Sequence, residues 1–329
     1  MSDGPVLITG GAGFLGVNLA DRLLSDGRQV TVLDSLARSG VDRNLDWLRE
    51  RHQEGLQIEV GDIRDPDLLA NVVADASAVL HLAAQVAVTS SVEDPLHDFE
   101  VNAAGTLRLL EALRRRPSPP PLVFASTNKV YGRLFDDADL VRGPTRWQPG
   151  DADRHVGCDE HTQLDFHSPY GCSKGVADQY VLDYARVFGL QTVVFRMSCL
   201  YGPHQCGNED QGWVAHFLIQ ALRGRPITIF GDGLQVRDVL YVDDAVDAWL
   251  LVLREVRTLS GRAFNLGGGP GNTLSLREML TLIERSTGRR PAVRYEDWRP
   301  GDQRWYVSDT RAFEKATGWR ARTTPEAGL

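Results

Sequence analysis

Lysine is nearly missing from this chain. Of its 36 basic residues only three are lysine, Lys129, Lys174 and Lys315, so arginine supplies almost all positive charge. A permanently charged, planar guanidinium cannot do the proton chemistry of an ammonium, and the retained lysines therefore mark candidate chemistry. Positive charge is also in deficit overall: 36 basic against 44 acidic residues give a net charge of -8, which removes any electrostatic ground for a nucleic acid or an anionic membrane as partner. Cysteine is sparse. Cys158, Cys172, Cys199 and Cys206 contain no C-x-x-C pair, which excludes a disulfide-stapled scaffold and predicts reduced thiols. No apolar run reaches the roughly 18 residues of a membrane span, and Met1 to Pro5 has neither a basic region nor an apolar leader, so a cytoplasmic chain is expected.

What is present is an alternation. Short apolar runs at Val6 to Thr9, Val30 to Leu33, Gln57 to Val60, Val79 to Leu82, Leu122 to Ala125 and Thr192 to Phe195 read as strands. Between them, patterns such as Leu96-Phe99-Ala103-Leu107-Leu110 recur at three and four residues, as crossover helices do. The expected fold class is α/β, a doubly wound parallel sheet of Rossmann type with a smaller C-terminal α+β substrate lobe. Residues 1–196 with 235–266 are assigned to the dinucleotide-binding domain, and 197–234 with 267–329 to the lobe. Pro117 to Pro121 is expected to be a stiff helix-to-strand loop. The turn-rich stretch Arg133 to His167 is expected to be an excursion over the site, and the ends, before Pro5 and after Arg320, to be loose. Asp243-Asp244 reads as a helix cap. His155, Cys158, His161 and His167 have spacing that fits no common zinc site, so no metal is expected.

The strand Val6 to Thr9 runs into Gly10-Gly11-Ala12-Gly13-Phe14-Leu15-Gly16. Glycines here permit a tight turn and a close approach of backbone N–H groups and a helix N-terminus to a pyrophosphate. Asp34 ends the next strand at the spacing of a carboxylate that binds ribose hydroxyls. It would repel an added 2′-phosphate, so NAD is favoured as cofactor, while Arg38 is either a phosphate attractor or a solvated loop arginine.

Tyr170-Gly171-Cys172-Ser173-Lys174 sets phenol and ammonium on one helix face. A phenol of ordinary pKa about 10 needs nearby positive charge to act as a base near neutrality. One charge at about 4 Å, in an effective dielectric near 20, supplies about the 4 kcal/mol required. Lys174, with an oxidised nicotinamide, is expected to provide it.

Together these residues resemble the extended short-chain dehydrogenase/reductase family over nearly the whole chain. The motifs are Thr9 to Gly16, Gly61-Asp62-Ile63, His81-Leu82-Ala83-Ala84, Asn102, the Thr127 segment, Tyr170 with Lys174, Tyr201-Gly202-Pro203, Arg237-Asp238-Val239 and Arg299-Pro300-Gly301-Asp302. The resemblance implies a cofactor site of Gly10, Gly13, Phe14, Leu15, Gly16, Asp34, Ser35, Arg38, Asp62, Ile63, Leu82, Ala83, Ala84, Asn102, Tyr170 and Lys174. Asp62 and Ile63 would meet adenine, and Leu82 and Ala83 would line the groove. It implies Thr127, Tyr170 and Lys174 as catalytic residues, with Thr127, Asn128, Lys129, Cys199, Gln211, Arg237 and Arg299 on a nucleotide sugar, the two arginines holding its diphosphate. A homodimer through a helix pair is implied as well.

Ser126-Thr127-Asn128-Lys129-Val130-Tyr131-Gly132 separates reactions within that family. Sugar dehydratases there carry Thr-Asp-Glu, and Asn128 and Lys129 cannot serve as that acid–base pair, so dehydration is disfavoured. The segment, with Gln163 to Lys174 and Asp210 to Val214, resembles the CDP-sugar 2-epimerases of tyvelose/paratose type. The expected function is an NAD-dependent isomerase that inverts a carbinol carbon by transient oxidation. Alternatives are inversion at carbon 4 or at carbons 3 and 5 of a UDP- or GDP-sugar, a non-catalytic NAD-binding sensor, and a net dehydrogenase. Lys129 is read either as a sugar contact or as a prop for its loop.

Overall fold

A computed structural model describes residues 4–135, 139–151, 156–299 and 301–329; His155 and Pro300 lie outside the described residues. Seven parallel strands form the central sheet, in the spatial order Arg262–Leu266, Thr192–Met197, Leu122–Thr127, Ala78–His81, Val6–Thr9, Val30–Asp34 and Leu56–Val60. Every strand named from the apolar runs is there, within one or two residues at each end. The inner strands are buried on both faces, which is why they read as unbroken apolar runs and not as alternations. Edge strand Leu56–Val60 is different: it is half exposed, and Val60 lies 60% open.

From Val6–Thr9 the chain builds outward through Val30–Asp34 to Leu56–Val60, then returns to place Ala78–His81 on the other side of Val6–Thr9. Strand order reverses there, and the crevice at the carboxyl ends of these two strands is where such sheets bind ligands. One helical layer, including Phe14–Ser25 and Val242–Leu259, packs Leu19, Leu23, Trp249 and Leu253 against one face. Gly105–Arg114 and Ser168–Phe188 cover the other with Leu109, Leu113, Ala177 and Val181. Burying side chains of this size contributes roughly 1.5–3 kcal/mol each before entropy is counted, which is what seats the layers.

The smaller lobe has its own core of Phe217, Ile227, Ile229, Met279 and Ile283. Strand Val236–Tyr241 organises it, pairing with Thr273–Ser275, Trp305–Tyr306 and Cys199–Tyr201. Helix Leu276–Thr287 opens with a reciprocal Ser275/Glu278 capping box and ends at Gly288 in the left-handed region, so two orphan donors at its start are satisfied from within.

Two expectations about this region are corrected. Residues after Arg320 are not loose: Pro325 is buried, Asn272 donates to the Thr323 carbonyl, and the Asp244 carboxylate accepts from the Arg322 and Thr323 backbone N–H groups. Asp244 therefore anchors the tail instead of capping helix Val242–Leu259, whose N-cap is Tyr241. The stretch after Arg133 forms an antiparallel pair, Leu140–Arg142 with Trp147–Pro149, tied to the lobe through Trp147 N–H to the Leu234 carbonyl at 2.9 Å and through Arg146 to Glu278.

Candidate active site

The glycine turn is built for close approach. Gly10 sits at φ 70°, and a Cβ there would lie 2.7 Å from the Ala83 nitrogen; at Gly16 it would lie 2.5 Å from the Gly10 carbonyl oxygen. Strand end, turn and helix are thus packed backbone to backbone, with Leu82 and Ala83 forming the opposing wall. Helix Phe14–Ser25 begins at Gly13 with no capping side chain, so its first-turn N–H groups face the crevice as a ready anion site. Asp34 accepts from Ala12 N–H at 3.0 Å and Leu36 N–H at 2.9 Å, and burial raises its pKa. A turn with no side chain between it and a diphosphate, beside a strand-end carboxylate, fits a dinucleotide. The Asp62 carboxylate is taken up by Arg64, which lowers its pKa. Ile63 is buried.

Strand Leu122–Thr127 delivers Thr127 to the crevice, and a short 3-10 turn, Asn128–Tyr131, follows it. Thr127 Oγ1 accepts from Lys129 N–H at 3.2 Å and donates to Asn128 Oδ1 at 3.3 Å. Helix Ser168–Phe188 carries Tyr170 and Lys174. Its first residue, Ser168, has φ 64°, a left-handed conformation that costs a non-glycine residue about 1 kcal/mol or more and sets the angle at which Tyr170 enters.

The electrostatics differ from the sequence reading. Burial pushes the Tyr170 phenol up to about 12; a hydrogen bond with Thr127 pulls it back and the Asp98 charge raises it further. Burial likewise pushes the Lys174 ammonium down to about 7, against the attraction of Asp178 and Asp98. Its Nζ lies 4.2 Å from the Phe124 ring centre. Desolvation penalises both charged forms, so in the protein itself the phenol is not already basic. The pair is poised for charge that arrives with the bound molecules.

Behind the pair is a polar network of which the motifs gave only Asn102. Asp98, fully buried, accepts from Asn102 at 3.1 Å, and Asn102 also donates to Ser173 Oγ at 3.1 Å and to the Gln85 carbonyl at 3.0 Å. The i, i+4 spacing of Asp98 and Asn102 was the available signal. Arg196 and Asp178 form a buried two-pronged ion pair, each contact 3.0 Å, with Ser126 donating to the same carboxylate and Arg196 to the Tyr131 hydroxyl. This pair ties the catalytic helix to two central strands.

On the lobe side, Lys129 Nζ donates to the Gly301 carbonyl at 3.1 Å. Burial, with Arg237 next in weight, lowers Lys129 to about 8, and Asp302 and Cys199 act the other way. Burial raises the Cys199 thiol, with the Arg237 charge and the Trp213 N–H opposing. Lys129, Cys199, Trp213 and Arg237 are thus near enough to act on one another's charge. Gln211 Oε1 is buried without a partner among the described residues. Arg237 donates to its neighbour's carbonyl, Val236 O, at 2.7 Å. Arg299 stacks on Phe230 at 3.6 Å, reaches the Glu209 carbonyl at 2.8 Å and pairs with Asp210 at 3.5 Å, so it arrives from a loop, whereas Arg237 stands on strand Val236–Tyr241.

Comparison with known proteins agrees with this architecture. A model described as the NAD dependent epimerase/dehydratase family matches residues 6–267. The chain is 43% identical, over 98% of its length and 96% of the relative's, to CDP-paratose 2-epimerase of Salmonella typhi. It is 32% identical to UDP-glucose 4-epimerase of Mycolicibacterium smegmatis, over 98% of this chain and 95% of that one. Among solved structures, UDP-glucose 4-epimerase of Thermus thermophilus in complex with NAD superposes with a TM-score of 0.81 at 34% identity, covering 98% and 96% of the two chains. A dTDP-glucose 4,6-dehydratase of Streptomyces venezuelae with NAD bound gives 0.83 at 29%, covering 99% and 94%.

Proposed function

The chain belongs to the NAD-dependent epimerase/dehydratase family, and from that premise we propose that it is an isomerase that inverts carbon 2 of a CDP-linked sugar. The observation that carries the reading is the meeting of Tyr170 and Thr127 at the end of the central sheet, where Thr127 tempers the rise of the phenol's pKa, followed in sequence by an amide and an ammonium in place of an acid–base carboxyl pair. Proton transfer is provided for, and elimination of water is not.

The cofactor is NAD; the uncapped helix start, the Gly10–Gly16 turn and Asp34 would hold it, and when bound it would supply a reversible acceptor for the hydrogen of the carbinol carbon. Direct deprotonation could not invert that carbon, because no carbonyl neighbours it. Tyr170 takes the hydroxyl proton at its phenol oxygen, and Thr127 hydrogen-bonds the same sugar oxygen and aligns it. Lys174, charged, stabilises the phenolate and would also hold the cofactor's ribose. With the sugar flat at the reacting carbon, Arg237 and Arg299 keep hold of the diphosphate while the ring presents its other face. Tyr170 then returns the proton. Lys129 and Cys199 border the sugar, and Gln211 supplies an acceptor to the nucleotide side.

A second reading has one observation in its favour. Lys129, lowered to about 8 beside Arg237, has a proton to exchange near neutrality, as inversion next to a ketone at carbons 3 and 5 would need. Incubation with CDP-, UDP- and GDP-sugars, followed by NMR at each ring carbon, separates the two. Inversion confined to carbon 2 of a CDP-sugar is expected, and inversion at another carbon with none at carbon 2 refutes the proposal.

We extend the reading to organisation. Residues 1–196 with 235–266 act as the cofactor domain, and 197–234 with 267–329 as the substrate lobe. Val92, Leu96, Phe99, Tyr180, Val187 and Phe188 expose apolar surface on neighbouring helices, Leu96 as much as 79%, and a second copy of the chain covers them in a homodimer. No helix among the described residues is long and apolar enough to cross a membrane, and we place the enzyme in the cytoplasm.

A further inference from the structure

One segment of the lobe side leaves its own neighbours and docks on the cofactor half. After strand Cys199–Tyr201, residues 203–206 lie against the first two helices of the dinucleotide domain. Asn18 donates to the Pro203 carbonyl at 3.1 Å. Asn44, only 5% exposed, divides its amide between the Ala12 carbonyl in the glycine turn, at 3.0 Å, and the His204 carbonyl, at 3.2 Å. The His204 ring lies 4.1 Å from the Trp47 ring, centre to centre. Arg38 reaches the Cys206 carbonyl at 3.4 Å, and Cys206 Sγ lies 3.7 Å from the Gly40 carbonyl oxygen.

The backbone carries a second, independent mark. Three described non-glycine residues have positive φ; besides Ser168 they are His204, at 67°, and Leu36, at 55°. Leu36 is in the loop that follows Asp34, and His204 is in the segment docked beside that loop. Such conformations persist only where surrounding contacts over-determine them, and they gather at clamps and switches. Asn44 explains what is determined here, since one side chain fixes the turn that receives the pyrophosphate and the segment lying across from it.

We propose that residues 203–206 are a strap that keeps the cofactor captive, with Asn44 and His204 as its positioning residues. Docked, the strap fixes the glycine turn and the 35–40 loop around the adenosine end of the site; it must lift before the dinucleotide leaves. A reaction that oxidises and then reduces the same sugar needs a cofactor that stays for both halves. The inference rests on the NAD reading and adds to it the device that retains the cofactor.

Exchange of bound NAD for labelled NAD, followed on the purified holoenzyme, tests this without reference to turnover. Asn44→Ala removes both amide bonds. His204→Gly removes the ring from Trp47 while placing a residue at ease at φ 67°, so the fold is kept. Each is expected to release NAD about tenfold faster than wild type, as loss of one or two hydrogen bonds or one ring contact implies, and His204→Gly to leave the cofactor-free melting temperature unchanged. Exchange at the wild-type rate in both variants overturns the strap. A wild-type protein that neither carries nor exchanges NAD sinks the cofactor reading itself.

Discussion

Replacing Lys174 with methionine isolates what the ammonium contributes, because methionine keeps the length and loses the charge. Tyr170 starts at about 12, so ionising it at pH 7.5 costs about 6 kcal/mol. A unit charge about 4 Å away, at an effective dielectric of 20, returns about 4 kcal/mol, and a cationic nicotinamide is left to supply the remaining ~2 kcal/mol. Because Lys174 itself is lowered to about 7, forming the charged pair needs no net uptake or loss of a proton: an ammonium beside a phenolate carries as many protons as an amine beside a phenol. Lys174→Met should therefore reduce kcat about a thousandfold at pH 7.5, with activity regained as pH rises because hydroxide does what the charge no longer does. The assay is turnover of NAD-loaded enzyme from pH 6 to 10, with bound NAD measured alongside to set aside cofactor loss. A loss under tenfold, with the acid limb of the pH profile unmoved, refutes this division of labour.

The same residue gives an opposite prediction for stability. A buried base whose folded pKa lies below its unfolded value is a burden that is fully present below about pH 7 and relieved as pH rises toward 10.5. Cofactor-free Lys174→Met should thus melt higher than wild type at pH 7, by a margin that shrinks toward pH 10. Asp178→Asn leaves Arg196 buried without its carboxylate and should cost roughly 3–5 kcal/mol, seen as a lowered midpoint in denaturant. Gly10→Ala must force a Cβ against the Ala83 backbone at positive φ, and should lower both melting temperature and NAD content.

The sheet was legible because its inner strands are apolar without interruption and its helices alternate with them. The seventh strand, Arg262–Leu266, follows after the alternation has loosened, and its parallel pairing with Thr192–Met197 completes the sheet. Local spacing also singled out Gly10, Asp34, Tyr170 and Lys174, since each sits at or just past a strand end or within the first two turns of a helix, whereas Thr127 came from the family resemblance. What spacing could not give was the sign of an environment. Tyr170 and Lys174 are four residues apart in any reading, yet the burial and charge that each meets depend on groups such as Asp98 and Phe124 from distant elements. The tail after Arg320 looked loose for the same reason: the partner that pins it, Asp244, lies 78 residues earlier than Arg322. The strap was invisible because its contacts are mostly to backbone carbonyls, which no residue type announces.

The most direct test is to supply a CDP-sugar carrying deuterium on carbon 2 and follow the label through inversion in ordinary water. If Tyr170 moves only the hydroxyl proton and the carbon-bound hydrogen leaves and returns inside the site, the epimer keeps its deuterium at carbon 2, and Tyr170→Phe forms no epimer. Washout of the label into solvent, or near-normal inversion by Tyr170→Phe, contradicts the account.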